Sequence, residues 1–138
     1  MYTLETLFLG QQASFSKTIS ESDIYQFAGI TGDLNPVHVD EVYASKTRFG
    51  KRIAHGMLSS SFICTVLGTK LPGQGTIHVS QSLEFKRPVY IMDTLLTTLS
   101  VTDIDVTRKL VKIHCVVTNQ NNEVVVEGTA VVKPPKPA

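Results

Sequence analysis

The 138-residue chain has little charge and lacks long apolar runs. Charged residues make up 18% of it and the net charge is +1, a field too weak to indicate nucleic acid or an anionic membrane surface as a partner. It has no apolar run of about 18 residues, so we expect no segment that crosses a bilayer. The first ten residues contain no basic region and only a short apolar run, which argues against a secretory signal.

Cysteine is also scarce. Cys64 and Cys115 lie far apart in apolar surroundings, and neither belongs to a C-x-x-C motif. A metal site or a redox motif is therefore not indicated. We expect two free thiols in a reducing cytoplasm, although the sequence alone leaves a disulfide open.

What the chain does contain is enough apolar material for one domain. Its apolar content of 42%, in a chain of this length, predicts a single globular domain over residues 1–138. Three prolines near the C-terminus predict that regular structure stops there, with a disordered tail over residues 134–138.

The first half of the chain predicts one short strand and several helices. Residues 14–19 alternate between polar and apolar-leaning side chains, as in a strand. Ser20, with Asp23 three residues later, predicts a capping box at the start of a helix that ends near Gly32. Asp40 predicts the cap of a second, brief helix over residues 41–44.

The second half of the chain predicts a β-sheet and the helix that packs against it. Residues 56–68 carry no charge and present small or apolar side chains at every angle, so we expect a helix that is buried on nearly all sides. From Thr76 onward the apolar period is two, which predicts strands near 76–85, 94–104, 110–118 and 124–130, with a hairpin loop at 119–122. The prediction is an α+β fold, a curled antiparallel sheet around one central helix.

The most informative motif runs from Gly32 to His38. It places the Asp33 carboxylate and the His38 imidazole five residues apart, on a segment where Pro36 argues against regular helix. Irregular backbone could aim both side chains at one small volume, where they would position and deprotonate a water molecule. Ordinary turn chemistry would also account for these residues.

A second motif opens the predicted central helix. Gly56 would lie in the first helical turn, where backbone N–H groups lack acceptors within the helix. Glycine would let a substrate oxygen approach that backbone, as an oxyanion hole requires. It would equally permit close packing where the helix joins the core.

Together these segments resemble the signature of the MaoC-like, (R)-specific enoyl-CoA hydratase family. The resemblance covers about residues 13–132, and its motifs are Gly32-Asp33-x-Asn35-Pro36-x-His38, Phe49-Gly50-x-x-Ile53-Ala54-His55-Gly56-Met57 and the F-x-x-P-V of residues 85–89. It implies a hot-dog fold and a homodimer or higher homo-oligomer joined edge to edge between sheets, with active sites near the interface. One departure is Met92-Asp93, where these proteins usually carry Gly-Asp, which puts the turn geometry there in doubt.

The resemblance also implies an activity. It is the reversible syn addition of water to a trans-2-enoyl-CoA thioester, with Asp33 and His38 as the acid–base pair and the Gly56 N–H as enolate stabiliser. No metal and no cofactor are implied, apart from the CoA of the substrate. Asn35 would orient Asp33 or fix the loop, and His55 is interpreted as a polar residue at the helix start.

Substrate contacts are predicted at two further places. CoA carries phosphates, so basic residues near the pocket mouth are candidates: Lys46, Arg48, Lys51 and Arg52, with Lys86 and Arg87 beyond them. A solvated loop is the alternative for these charges. Ser60, Cys64 and Leu67 recur at helical spacing and would line an acyl pocket or pack in the core.

Other functions with the same fold stay open. Dehydration of 3-hydroxyacyl groups on acyl carrier protein would use the same site. A hot-dog thioesterase and a non-catalytic acyl-thioester binding module are further alternatives, since a fold does not decide a function.

Overall fold

A single six-stranded antiparallel sheet organises the computed structural model, which describes all of residues 1–138. Its strands are β1 (Gln12–Thr18), β2 (Ile77–Gln81), β3 (Glu84–Phe85), β4 (Thr94–Asp105), β5 (Leu110–Thr118) and β6 (Val124–Lys133). Their spatial order is β1-β4-β5-β6-β2, and β3 also pairs with β6. Strand β1 therefore forms one edge of the sheet, and β2 and β3 together form the other.

Five helices accompany the sheet, all before β2 in the chain. They are α1 (Glu21–Thr31), α2 (Pro36–Val39), α3 (Glu41–Ser45), α4 (Gly56–Ser60) and α5 (Phe62–Thr69). The predicted caps are confirmed: Ser20 and Asp23 form a complete capping box at α1, and the Asp40 side chain accepts a hydrogen bond from the Tyr43 N–H at α3. None of these helices has the length and apolar character that a membrane span requires.

The prediction of one continuous helix over 56–68 is wrong, because the helix is interrupted at Ser61. There the Ser61 N–H donates to the Leu58 carbonyl, three residues back, and the Ser61 hydroxyl donates to the same carbonyl at 2.6 Å. Serine hydroxyls compete for helix carbonyls in this way and tighten or bend the turn. The helix is also not buried on all sides in the single chain, since Met57, Cys64 and Gly68 are exposed.

The core lies between α5 and the concave face of the sheet. Ile63, Val66 and Leu67 of α5 pack with side chains of β4, β5 and β6. Every second residue of β5 from Val111 onward is fully buried, as the apolar period of two predicts, namely Val111, Ile113, Cys115 and Val117. A second cluster joins α1 and α4 to the other end of the sheet. This curled sheet around a central helical segment is the hot-dog architecture, which confirms the predicted fold.

The turn at Tyr90–Asp93 forms despite the unusual Met92. The Asp93 N–H donates to the Tyr90 carbonyl at 3.0 Å, and the Asp93 carboxylate accepts from the Tyr90 N–H at 2.9 Å. Met92 has φ of 73°, in the left-handed region that favours glycine. The turn is therefore kept, with backbone strain at one exposed methionine.

The β2–β3 edge, residues 77–81 and 84–85, exposes apolar side chains. Ile77, Val79 and Phe85 are 59%, 53% and 53% exposed. Alternation correctly predicts strands here, but it does not place their apolar side chains in this chain's core. Beyond Lys133 the chain has no helix or strand, and Pro134 and Pro135 are buried.

Candidate active site

The loop that carries Asp33 is built by short hydrogen bonds. Helix α1 ends at Gly32, whose φ of 76° is left-handed and whose N–H donates to the Ala28 carbonyl. The Asp33 N–H then donates to Thr31 Oγ1 at 3.1 Å, and Asp33 Oδ1 accepts from the Asn35 N–H at 3.1 Å. The carboxylate is thereby fixed at the C-terminal end of α1.

His38 projects from a one-turn helix, so the prediction of irregular backbone up to His38 is wrong from Pro36 onward. Proline is tolerated as the first helical residue because its missing N–H would have no partner there. The Asn35 side chain accepts a hydrogen bond from the Val37 N–H at 3.3 Å and so caps this turn. This contact supports the loop-fixing interpretation of Asn35.

The His38 ring is buried and its tautomer is fixed. Its Nδ1 lies 2.7 Å from the Ile53 carbonyl oxygen, and a carbonyl can only accept, so Nδ1 carries the proton. Burial lowers the pKa of His38 and His55 adds to this, while the Ile53 bond and the Asp33 charge oppose it. The ring is therefore neutral near pH 7, and its Nε2 is an acceptor without a protein partner.

His55 forms the wall behind this pair. It is 3% exposed, its Nε2 lies 2.9 Å from the Asp33 carbonyl oxygen, and its ring stacks on His38 with centroids 3.8 Å apart. His55 lies at the start of a helix, as the sequence predicts, but these contacts are not predicted from the sequence. Its position directly before Gly56 is the signal that could have brought it into the site.

The three residues predicted for catalysis line one cavity of about 260 Å³. Its lining comprises Phe27, Thr31, Asp33, His38, His55, Gly56 and Met57. At Gly56, a Cβ atom would lie 2.9 Å from a carbon of the Phe85 ring, so glycine is what the close approach allows. A carboxylate, an unpaired imidazole nitrogen and a glycine backbone thus meet at one place.

A larger cavity of about 750 Å³ lies elsewhere, beside the C-terminal prolines. Its polar lining consists of Glu5 and the lysines at 109, 133 and 136. It contains none of the residues predicted for catalysis and no imidazole. We therefore assign the chemistry to the smaller cavity, because acid–base groups converge there.

Asp33, His38 and His55 also have the composition of a metal site, since they offer ligand atoms within 4.8 Å of one another. The ring geometry argues against this. The two imidazole planes are 26° apart and stacked, whereas a ligand nitrogen directs its lone pair in its ring plane, so both cannot point at one ion. Carbonyl oxygens also occupy one nitrogen of each ring. The arrangement suits proton transfer better.

Arg52, predicted as a CoA contact, is engaged inside the protein. Its guanidinium donates to Glu41, to Glu21 at 2.9 Å and to the Tyr25 hydroxyl at 2.8 Å, which raises the pKa of Arg52. These bonds tie α1 to α3. Three of the five N–H donors of Arg52 are engaged in this way and its side chain is only 11% exposed, so the CoA contact at Arg52 stays a prediction.

The other predicted basic contacts lie at the surface. Lys46, Arg48 and Lys51 are exposed; Arg48 lies over the Phe49 ring and Lys51 over the Tyr90 ring. Farther along the chain, Lys86 pairs with Glu84 at 2.6 Å and Arg87 with Glu123 at 3.2 Å.

The residues predicted for the acyl pocket line neither of the two cavities described above. Ser60 and Leu67 are buried, the latter in the main core cluster. Cys64 is exposed, and its Sγ lies 3.9 Å from Nδ1 of His78 in β2. The core interpretation holds for Ser60 and Leu67, and Cys64 opens towards the β2–β3 edge.

Comparison with known proteins finds relatives along almost the whole chain. Residues 8–125 match the family model described as MaoC like domain. An (R)-specific enoyl-CoA hydratase of Rhodospirillum rubrum is 52% identical over 98% of this chain and 93% of its own length. A 3-hydroxybutyryl-CoA dehydratase of Methylorubrum extorquens is 42% identical over 96% of this chain and 83% of its own length.

A solved structure matches as well. The unliganded R-hydratase PhaJ1 of Pseudomonas aeruginosa superposes with a TM-score of 0.93 at 41% identity, covering 98% of this chain and 86% of that one.

Proposed function

The chain belongs to the MaoC-like domain family, and we propose that it catalyses the reversible syn hydration of trans-2-enoyl-CoA thioesters to (R)-3-hydroxyacyl-CoA. It is a hydro-lyase, acting as an enoyl-CoA hydratase in one direction and a 3-hydroxyacyl-CoA dehydratase in the other. The observation that carries this proposal is the meeting of Asp33, His38 and Gly56 in one cavity.

Each group has a role that its surroundings support. Asp33 and the Nε2 of His38 hold the water, and the neutral ring accepts a proton as the water oxygen bonds to Cβ. The electron pair of the double bond moves towards the thioester carbonyl, where the Gly56 N–H stabilises the enolate oxygen. Return of that proton from the same pair to Cα completes addition on one face.

The proposed reaction needs neither a metal ion nor a redox cofactor. Hydration changes no net oxidation state, and the proton removed from water is the one delivered to Cα. We therefore expect full activity after exhaustive treatment with a chelator, and restoration of a lost activity by added divalent metal would contradict this.

The deciding experiment follows crotonyl-CoA with the purified protein. We expect loss of the conjugated thioester without release of free thiol, and chiral analysis should give the (R)-3-hydroxy product. Thiol release would identify a thioesterase instead. A parallel series of CoA and acyl-carrier-protein thioesters of increasing chain length would then separate the CoA enzyme from the carrier-protein dehydratase.

We also propose that the protein is a homodimer joined through the β2–β3 edge. This edge leaves backbone groups of β2 unpaired and exposes Ile77 and Val79, and an exposed apolar edge strand favours pairing with another strand. Light scattering should report a dimer for the natural chain. Val79→Lys should yield monomers, whereas Val106→Lys, at another exposed valine outside this edge, should not.

The proposed contacts with the substrate involve side chains that are exposed to solvent. We propose that Cys64, which is exposed beside His78 of β2, lines an acyl channel at the β2–β3 edge, and that the exposed Lys46, Arg48 and Lys51 bind the CoA phosphates. We propose a cytoplasmic location, which the two free thiols support.

A further inference from the structure

Of the two buried histidines, His38 and His55, the proposed reaction leaves His55 unused. It occupies the N-cap position of α4, yet its side chain makes no capping hydrogen bond. Serine, threonine, aspartate or asparagine would cap that helix better. The imidazole therefore does not cap the helix, although the His55 carbonyl accepts from the Ser59 N–H, and the side-chain contacts lie elsewhere.

The first contact is with the loop that carries Asp33. Nε2 of His55 lies 2.9 Å from the Asp33 carbonyl oxygen, and since a carbonyl only accepts, the His55 proton is on Nε2. This bond joins residues that are 22 positions apart in the sequence. It holds the backbone of the acid residue against the start of α4.

The second contact is with the ring of His38. The His55 ring covers one face of His38 at 3.8 Å, and Phe27 in turn lies 4.9 Å from His55. The hydrogen bond from Nδ1 to the Ile53 carbonyl holds one edge of the His38 ring. The stacked His55 ring restricts the tilt of the His38 ring plane. Together these contacts set the direction of the free Nε2.

A third observation separates this arrangement from ordinary packing. Nδ1 of His55 is sealed from solvent and has no hydrogen-bond partner. A buried acceptor without a partner opposes stability. An aromatic residue without that nitrogen would avoid this cost, so stability alone does not explain a histidine at position 55.

We propose that His55 is a positioning residue, which fixes Asp33 through its Nε2–H and fixes His38 through its ring face, so that acid and base keep one separation. The role presupposes the proposed hydration. It assigns to one side chain two separable functions, a hydrogen-bond donor and a flat shield.

Two variants separate these functions. His55→Gln keeps a donor that can reach the Asp33 carbonyl but removes the ring, and His55→Phe keeps a ring but removes the donor. His114→Gln is the matched control, because His114 is partly exposed and pairs with Glu127 away from the cavity. Each protein is assayed for kcat, KM, Tm and the pH dependence of kcat/KM.

We expect both His55 variants to lose at least roughly tenfold in kcat, since misplacing a reacting group is costly, while KM and Tm stay near the natural values. In His55→Gln the acid limb of kcat/KM should also move to higher pH, because water reaching His38 weakens the desolvation that lowers its pKa. The titratable groups facing His38 are Asp33 and His55. The limb of His55→Phe should move less, because its ring still shields His38.

Nitrogen-15 spectra of the histidine rings test the same point without substrate. We expect His38 protonated on Nδ1 and His55 on Nε2 in the natural protein, and a higher titration midpoint for His38 in His55→Gln. If His55→Gln does not fold, the comparison of kcat and of the ring spectra between His55→Phe and the natural protein tests the proposal.

The proposal is overturned if either variant keeps natural kcat, if the His38 midpoint stays unchanged in His55→Gln, or if activity and Tm fall in parallel. Failure of the proposed function would appear differently, as absence of hydration by the natural protein.

Discussion

Nδ1 of His38 donates to the carbonyl oxygen of Ile53 at 2.7 Å, and this one bond decides which ring nitrogen can act as a base. It links the turn after Pro36 to the segment that leads into α4. The bond holds the proton on the inner nitrogen and leaves the outer one as the acceptor.

The first prediction concerns the acid–base pair. Asp33→Asn and His38→Gln should each lower crotonyl-CoA hydration on the order of 10²–10⁴-fold, because each removes a positioned proton-transfer group. Circular dichroism and Tm should show the fold intact. Natural turnover by either variant would remove these two residues from the mechanism.

The second prediction is a pH dependence of stability. Because burial lowers the pKa of His38 in the folded protein, the unfolded chain binds a proton there more readily. The contribution of His38 is fully present above its ordinary pKa of about 6.5 and is lost as pH falls through the folded value. Denaturant titrations from pH 8 to pH 5 should show this loss, and His38→Gln should show a smaller one. Equal slopes would contradict the assignment.

The third prediction tests the approach to Gly56. In Gly56→Ala the new Cβ would lie 2.9 Å from the Phe85 ring, which is half-exposed and can move, so we expect only a small loss of stability. Substrate approach to the backbone N–H should suffer more, with kcat falling on the order of 10²-fold. The double variant Gly56→Ala/Phe85→Ala removes the ring contact. Its recovery to natural kcat would show that the ring contact, rather than access to the N–H, limits the reaction.

The fourth prediction separates structural from CoA-binding cations. Arg52→Ala should lower Tm modestly, since Glu21 and Glu41 are more than half exposed and stay solvated, and it should leave KM for crotonyl-CoA unchanged. Arg48→Ala is the comparison, with an expected rise in KM and no change in Tm. A raised KM in Arg52→Ala at natural Tm would instead support the predicted CoA contact at Arg52.

The fifth prediction concerns the turn at Met92. Met92→Gly should raise the free energy of unfolding by about 0.5–1 kcal/mol, because glycine adopts positive φ without steric cost and methionine does not. Asn122→Gly is the control, since Asn122 has φ of 58° and asparagine tolerates that conformation. Urea titration should rank the gain at Met92 above the gain at Asn122.

The sequence predicts well those features whose causes are local. The Ser20–Asp23 capping box and the buried face of β5 depend on spacings within one element. Contacts between distant segments are harder to predict. Arg52 finds Glu21 31 residues away, and nothing in a basic loop distinguishes that arginine from its neighbours.

The break at Ser61 and the exposure of β2 have other causes. The break depends on where serine hydroxyls donate, which hydrophobic periodicity does not record. The side chains of β2 have the right alternation, but alternation does not tell whether a face meets this chain's core or another surface. In the site, Asp33, His38 and Gly56 follow from motifs, whereas the stacking of His55 follows only from the fold.

The proposed dimer through the β2–β3 edge would make catalysis depend on the association of two chains. If two copies complete one sheet and thereby close the acyl channel, activity per chain should fall on dilution, with a midpoint at the dissociation constant. Heterodimers of one natural and one catalytically inactive subunit would then show whether a single intact active site is sufficient for activity. The cell could thus adjust hydration through how much of this protein it makes, more steeply than in proportion.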